Sequence, residues 1–185
     1  MADRIGAYHL ANNPKIYEPA RTNTFRFVVT GLDNLRRADN GEKIVNAQEY
    51  LEFSVDKASV PNFTQEPISI KLGNSTMKAA GMPEFGDGTL TINDYIGAET
   101  KAILKAWQNL SYNVETQAVG LMSDYKKDCW LLEYTPGFDR IVNQYVLHGC
   151  WISGLSEGDY DANSGDKRQI NVTIQYDWAT MSRAD

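Results

Sequence analysis

The chain has 185 residues, of which 42% are hydrophobic and 23% are charged, and its formal net charge is -6. A chain of this length builds one domain whose core needs neither metal ions nor disulfide bonds. The acidic balance excludes a protein that holds nucleic acid by neutralising phosphates, since that requires clustered Lys and Arg. No apolar run approaches the roughly 20 residues of a membrane span, and the N-terminus lacks the apolar segment of an export signal. We therefore expect no membrane anchor and a protein made in a cytoplasm.

The N-terminal region differs from the rest of the chain. Residues 1–22 have no apolar periodicity and contain Pro14 and Pro19, which predicts an extended arm that lies on another surface, such as a second subunit. Residues 23–180 are expected to form a single β domain, and residues 181–185 a C-terminal tail.

Alternating apolar and polar residues, the period of a half-buried strand, recur along the domain. The predicted strands are Phe25–Val29, Leu51–Val55, Ile68–Leu72, Thr89–Asp94, Asp128–Tyr134, Ile141–Ile152 and Arg168–Trp178. Residues 32–47, with Asp39-Asn40-Gly41 at their centre, are expected to form a hairpin or a long polar excursion. One segment near 98–110 changes to helical spacing, with Ile103, Leu104 and Trp107 on one side. The pattern predicts a mainly β protein, an antiparallel sandwich or barrel-like fold with one flanking helix.

Motifs that carry chemistry are incomplete. Asp159 to Gly165 offers the alternating oxygen ligands of a calcium loop, but Ser164 stands where the loop needs Gly and Ile170 where it needs Glu. A polar turn is therefore expected there. His148 is the only histidine outside the N-terminal arm, and neither a nucleophile elbow nor a phosphate loop is present. We expect no catalytic residues, no metal and no cofactor.

The two cysteines, Cys129 and Cys150, match no zinc spacing. In a reducing compartment they are expected to be buried thiols. A bond between them requires that their strands be neighbours.

Several short motifs recur in an order that is characteristic of one family. They are Ala20–Phe25, Lys57–Pro61, Gly88–Asp94, Tyr125–Lys127, Gly149–Ile152, Gly154–Ser156, Asp159–Asp161 and Tyr176–Trp178. In these residues, from about position 17 onward, the chain resembles the tail tube proteins of contractile-tailed bacteriophages. The Gly31–Tyr50 stretch departs from the resemblance, because it is longer than a minimal family member needs.

The resemblance implies a fold and an assembly. Tube proteins pack two roughly orthogonal antiparallel sheets with a helix on the flank, and six copies form a ring that stacks into a hollow tube. The implied partners are other copies of the chain, the tail sheath, the baseplate, the tail terminator and the tape-measure protein, with DNA passing through the lumen without specific binding. The implied location is the virion, after synthesis in the host bacterial cytoplasm. We further hypothesise that part of the acidity lines the lumen, where it would keep DNA from adhering.

The segment from Leu72 to Asp87 is the candidate for ring-to-ring stacking. It is long and rich in Gly, and it contains Met77, Met82 and Phe85 in an exposed-looking context. An ordinary surface loop is the competing interpretation.

Two other functions stay open at this point. One is the tube of a bacterial contractile injection or secretion system, which carries effectors rather than DNA. The other is a soluble β-sandwich module that binds carbohydrate through Trp130, Trp151 and Trp178. Aromatic residues at strand spacing usually belong to the core, so we expect these three to be buried.

Overall fold

The computed structural model describes residues 18–37, 40–163 and 165–183. The helices in these ranges are α1 Ala47–Ser54, α2 Thr100–Ser111 and α3 Met122–Tyr125. The strands are β1 Phe25–Val29, β2 Val55–Ala58, β3 Phe63–Gln65, β4 Ile68–Leu72, β5 Ser75–Ala79, β6 Pro83–Phe85, β7 Gly88–Asn93, β8 Tyr112–Asn113, β9 Ala118–Val119, β10 Lys127–Tyr134, β11 Ile141–Glu157, β12 Gln169–Gln175 and β13 Trp178–Arg183.

A seven-stranded antiparallel sheet forms the body, and β11 belongs to both of its halves. The beginning of β11 pairs with β10 on one side and β13 on the other, while its end pairs with β12. The first half-sheet therefore runs β1-β10-β11-β13, and the second half-sheet runs β11-β12-β7-β2. The outer strands β1 and β2 approach each other without joining into a ladder. The structure confirms the mainly β, antiparallel fold, and its sheet is not closed into a barrel.

The change of partner along β11 occurs at Gly149, whose φ is +69°. On the partner side, β12 ends at Gln175 and β13 begins at Trp178. Asp177, between them, donates its backbone N–H to the carbonyl of His148 at 2.9 Å. The predicted single strand Arg168–Trp178 is therefore two strands, because Tyr176 and Asp177 form an irregularity opposite Gly149.

The core lies between the half-sheets and under α2. It contains Phe27, Val29, Leu51, Ile92, Ile103, Leu104, Trp107, Cys129, Leu147, Ile152, Ile170 and Ile174, each at most 2% exposed. The predicted helix near 98–110 is confirmed as α2, and Trp107 on its buried side donates its indole N–H to the carbonyl of Tyr125 at 3.0 Å. Burial of an aromatic side chain of this size together with its polar atom fixes how the helix sits.

The predicted strand at Leu51–Val55 is wrong. Residues 47–54 form helix α1, and the strand begins only at Val55. Ala47, Leu51 and Ser54 are buried at helical spacing, whereas Phe53 is 65% exposed. The alternation of Leu51, Phe53 and Val55 is therefore coincidental. The expectation of a single helix is corrected as well, since α1 and α3 are also present.

The Leu32–Ala47 excursion forms a minimal hairpin. An isolated bridge joins Arg36 to Lys43, and Leu32, Leu35 and Ile44 are buried in the core. The excursion is thus docked on the body rather than polar throughout. Asp39, at its predicted turn, lies outside the described residues, as do residues 1–17 of the predicted arm.

The C-terminal end is more ordered in its pairing than the predicted boundary at residue 181. Residues 181–183 belong to β13, where Arg183 pairs with Asn143. The last two residues lie outside the described ranges. In the part of the chain that the structure describes, no helix is long and apolar enough to span a bilayer.

Candidate assembly surface

A two-stranded arm projects from the body between Asn62 and Gly86. Its base pairs β3 with β6, from Phe63↔Phe85 to Gln65↔Pro83. Its outer part, which we call the tip hairpin, pairs β4 with β5 from Ile68↔Ala79 to Leu72↔Ser75. The turn consists of Gly73 and Asn74, and Gly73 has φ +60°, as a tight two-residue hairpin requires.

The two parts of the arm are joined by an irregularity. Two residues, 66 and 67, face three residues, 80–82, so the pairing shifts by one position, as at a β-bulge. Gly81 lies against this joint, and a Cβ atom there would sit 2.0 Å from the carbonyl oxygen of Glu66. Glycine is therefore required for the tip hairpin to leave the base at this position.

The tip hairpin has two chemically different faces. Ile68, Ile70 and Leu72 share one face with Met77 and Ala79 across the ladder. All except the half-buried Ala79 are exposed, with Leu72 at 62% and Met77 at 53%. The opposite face carries Ser69, Lys71, Thr76 and Lys78. A hairpin of two strands is at best marginally stable in water, and a contiguous apolar face of this kind marks an interaction site.

The base of the arm is fastened to the body by aromatic contacts. The ring of Phe85 lies 5.6 Å from that of Phe63 and 5.9 Å, edge-on, from that of Tyr176. The Tyr176 hydroxyl donates to the carbonyl of Asn62 at 3.4 Å. Burial raises the pKa of Tyr176, so this hydroxyl stays protonated and keeps its donor role at neutral pH.

The three residues predicted for stacking occupy different positions. Met77 lies on the apolar face of the tip hairpin. Met82 is 88% exposed in the joint between tip and base. Phe85 is half-buried and turns inward to fasten the arm.

Sequence reasoning missed Ile68, Ile70 and Leu72 as members of this surface, because their alternation was assigned to a strand of the body. The signal was present in the turn. Gly73-Asn74 pairs that strand with its immediate successor alone, since the described residues place β4 and β5 in a sheet of two.

A second exposed feature is the free edge of the first half-sheet. In the described topology β13 pairs with β11 on one side and with no strand on the other. Trp178 and Met181 on this strand are 50% and 61% exposed. An unpaired edge with apolar side chains is a template for a strand of another chain.

The aromatic residues do not form a sugar platform. Trp130 and Trp178 are 39% and 50% exposed, so the expectation that they are buried is wrong. One face of Trp178 is covered by His148, whose ring centroid lies 5.0 Å away in a stacked arrangement. Trp151 is half-buried and packs edge-on against Tyr125 at 6.0 Å. No pair of free aromatic faces is presented by these three residues.

A groove of about 460 Å³ lies beside the start of α2. At its floor Glu157 accepts hydrogen bonds from Lys101, from Lys105 at 3.0 Å and from Arg168 at 2.6 Å. These cations, Lys101 foremost, lower the pKa of Glu157 from 4.5 to about 2. Arg168 also lies 3.5 Å from Asp94. Because each carboxylate is paired, the cluster ties the end of β11 to α2 and leaves no unpaired general base at the groove floor.

The cysteines and His148 are not arranged for catalysis. Cys129 and Leu147 are register partners facing the core, so His148, one residue further on, faces the other side of the sheet. Cys129 and Cys150 are both free and fully buried on the neighbouring strands β10 and β11. Burial foremost, with a hydrogen bond to Cys150, raises the pKa of Cys129 well above its usual value. Such thiols are inert at neutral pH.

The polar turn at Asp159 to Gly165 shows no calcium arrangement. The Asp161 carboxylate accepts the backbone N–H of Asn163 at 2.9 Å, closing a local turn. Ser164 lies outside the described residues. Across residues 18–37, 40–163 and 165–183, no three His, Cys, Asp or Glu side chains are placed to hold a metal ion.

Comparisons by sequence give no relative, whereas comparisons of structure give several. No family model matches the chain, and no curated protein matches its sequence. A chain of the sheath-tube complex of the extracellular contractile injection system PVC, in its extended state, is 17% identical. Its TM-score is 0.65, and the match covers 98% of this chain and 100% of that one.

Two further solved structures agree. The tube terminating cap of the anti-feeding prophage AFP has a TM-score of 0.64 at 17% identity, over 90% of this chain and 92% of that one. The PVC sheath/tube terminator has a TM-score of 0.63 at 18% identity, over 89% of this chain and 96% of that one. At such identities the likeness concerns the fold. The chain therefore has the fold found in the cap, the terminator and the sheath-tube complex of these systems, and its resemblance to tail tube proteins is confirmed at that level.

Proposed function

We propose that the chain is the structural, non-catalytic subunit of a hollow tail-like tube, assembled from stacked rings of identical copies. The observation that carries the proposal is the fold match to the PVC sheath-tube complex, which spans 98% of this chain and all of the other. Coverage of nearly the whole of both chains means that little of this one is left over for an additional activity.

The described surface supports self-assembly. The apolar face of the tip hairpin and the open edge of β13 are both exposed in the single subunit. In a ring, the edge strand gains a partner from the neighbouring copy, and in a stack the arm reaches beyond its own subunit. The arm is long enough, because eleven residues from Asn62 to Leu72 span roughly 35 Å at about 3.3 Å per residue.

Electron microscopy of the purified protein across a concentration series tests the proposal. We expect rings or stacked tubes of uniform width. Replacing Ile70 and Leu72 by Ser removes two side chains of the apolar face, each worth about 1.5–3 kcal/mol when buried. Tube formation should then require at least about tenfold more protein.

The matched control changes the opposite face of the same hairpin, with Ser69 and Thr76 replaced by Ala. This variant should assemble like the wild type. Normal tubes from the Ile70→Ser/Leu72→Ser variant would remove the arm from the stacking contact. A wild-type chain that stays monomeric at every concentration, alone and with sheath and baseplate, would contradict the proposal itself, and binding of glycans by that monomer would favour the carbohydrate module.

The context of the tube has two candidates. The sequence resemblance favours a phage tail, in which the partners include a tape-measure protein and DNA crosses the lumen. The similar solved structures come from an anti-feeding prophage and an extracellular contractile injection system, which favours a tube that carries effectors. Purified native particles that contain nuclease-protected DNA identify the first, and particles that contain protein cargo without DNA identify the second.

A further inference from the structure

A second apolar surface lies at the far end of α2. Tyr112, Val114, Val119, Leu121 and Met122 are each between 46% and 78% exposed, and we call them the loop patch. They lie on the small hairpin β8–β9 and at the start of α3.

The loop patch is held in a defined shape. The side-chain oxygen of Asn113 accepts the backbone N–H groups of Glu115 and Thr116 at 2.9 and 3.1 Å. Gly120 donates its N–H to the carbonyl of Ser111 at 3.0 Å. A Cβ atom at Gly120 would lie 1.8 Å from the carbonyl oxygen of Leu110. The return of the chain against α2 is therefore close, and it presents the apolar side chains outward.

The loop patch and the tip hairpin carry opposite charge. Residues 106–125 contain two acidic residues, Glu115 and Asp124, and no Lys or Arg. Residues 67–83 contain two basic residues, Lys71 and Lys78, and no Asp or Glu. Each surface thus combines exposed apolar side chains with a charge of a single sign.

We propose that the tip hairpin of one copy docks, apolar face first, on the loop patch of another copy. The ammonium groups of Lys71 and Lys78 extend on long flexible stems past the edges of the narrow hairpin to the acidic rim. This inference rests on the proposed function and adds to it the receiving surface. Because the two surfaces differ, the contact is heterologous and repeats from copy to copy.

Cysteine cross-linking tests the contact. Ser75 at the hairpin turn and Thr116 beside the patch are both exposed, and the native Cys129 and Cys150 are buried. The double variant Ser75→Cys/Thr116→Cys should give, after mild oxidation, a ladder of covalent species beyond the dimer on non-reducing gels. Either single variant can give dimers at most. The control pair Ser75→Cys/Asn163→Cys places the second thiol in another exposed loop and should give no ladder.

A charge exchange supplies an independent measurement. Lys71→Glu/Lys78→Glu should raise the concentration needed for tubes at least tenfold, and so should Glu115→Lys/Asp124→Lys. Combining all four changes should restore assembly to within about threefold of wild type. Circular dichroism of each variant establishes that the subunit is folded.

The outcomes separate the two proposals. Wild-type tubes with dimers only from the cysteine pair, and with no rescue by the fourfold exchange, would overturn the docking inference and leave the tube intact. A ladder from a chain that forms no tubes would support the docking contact and count against the tube. Absence of both tubes and ladder would overturn both.

Discussion

Gly149 is the residue at which the two half-sheets separate. Its φ of +69° belongs to the left-handed region that side chains with a Cβ atom disfavour. A Cβ atom there would meet the Asp177 carboxylate at 2.3 Å. That carboxylate is held by Lys126 at 2.8 Å, so it cannot move away without losing its ion pair.

We expect Gly149→Ala to lower the free energy of unfolding by about 1–3 kcal/mol, the usual cost of a strained backbone position. Urea denaturation of the monomer measures the change. Gly165→Ala is the control, because nothing lies within 4 Å of a Cβ atom there. Equal stability of the two variants would show that the backbone at Gly149 relaxes freely.

Glu157 makes stability depend on pH. Its folded pKa of about 2 lies below the ordinary 4.5, with the Lys101 hydrogen bond as the largest cause. A depressed folded pKa means that the unfolded chain takes up the proton first. The stabilisation is therefore complete above about pH 4.5 and is lost as the pH falls towards 2.

Glu157→Gln should lower the free energy of unfolding by about 1 kcal/mol at pH 7, a value reduced for solvent screening. The difference from wild type should shrink as the pH falls from 4.5 to 2.5. Denaturant titrations at a series of pH values measure both effects, with Glu18→Gln as the control for loss of an exposed carboxylate. A difference that is constant with pH would mean that the cluster is not ionic in origin.

At the scale of elements, the sequence predicted the strands of the body and helix α2, because their periodicity is set by burial on one side. It was wrong at α1, where five residues with an apolar residue at every second position also fit one turn and a half of helix. The burial of Ala47, Leu51 and Ser54 decides that case. Such short segments are ambiguous by pattern alone.

The arm was predicted only in part. Its strands follow from alternation and its turn from Gly73-Asn74, but alternation does not say whether the apolar side meets the protein's own core or faces outward. Phe85 looked like Met77 and Met82 in sequence. Its contact with Tyr176, 91 positions later in the chain, depends on the tertiary fold.

The tip hairpin should be the first segment that trypsin cuts in the free subunit. Lys71 and Lys78 lie on strands that pair only with each other, and hairpins of this kind open locally. In assembled tubes the cleavage should slow at least tenfold, because the arm is then packed against another copy. Mass spectrometry of the fragments identifies the cut bonds.

The Ile70→Ser/Leu72→Ser variant supplies the comparison for this proteolysis. Its arm should be cut at the rate of the free subunit even at concentrations that assemble the wild type. Cleavage of wild-type tubes as fast as the free protein would place the arm outside the contacts of the assembly.

At the scale of the whole molecule, the sheet leaves the subunit incomplete. β13 has a free edge, and the tip hairpin has an uncovered apolar face. The net charge of -6 opposes close approach of copies, so the contacts that overcome it must be local. The opposite signs of the tip hairpin and the loop patch meet that requirement without any change in the net charge.

The arm also gives the assembly a direction. It leaves the body at one place, the joint at Gly81, so every copy in a stack points its hairpin the same way. One terminus of the filament then displays a ring of unoccupied hairpins, and the opposite terminus displays empty receiving surfaces. The two termini differ in chemistry, so they elongate at different rates, and a protein that seals one of them has no complementary surface for the other.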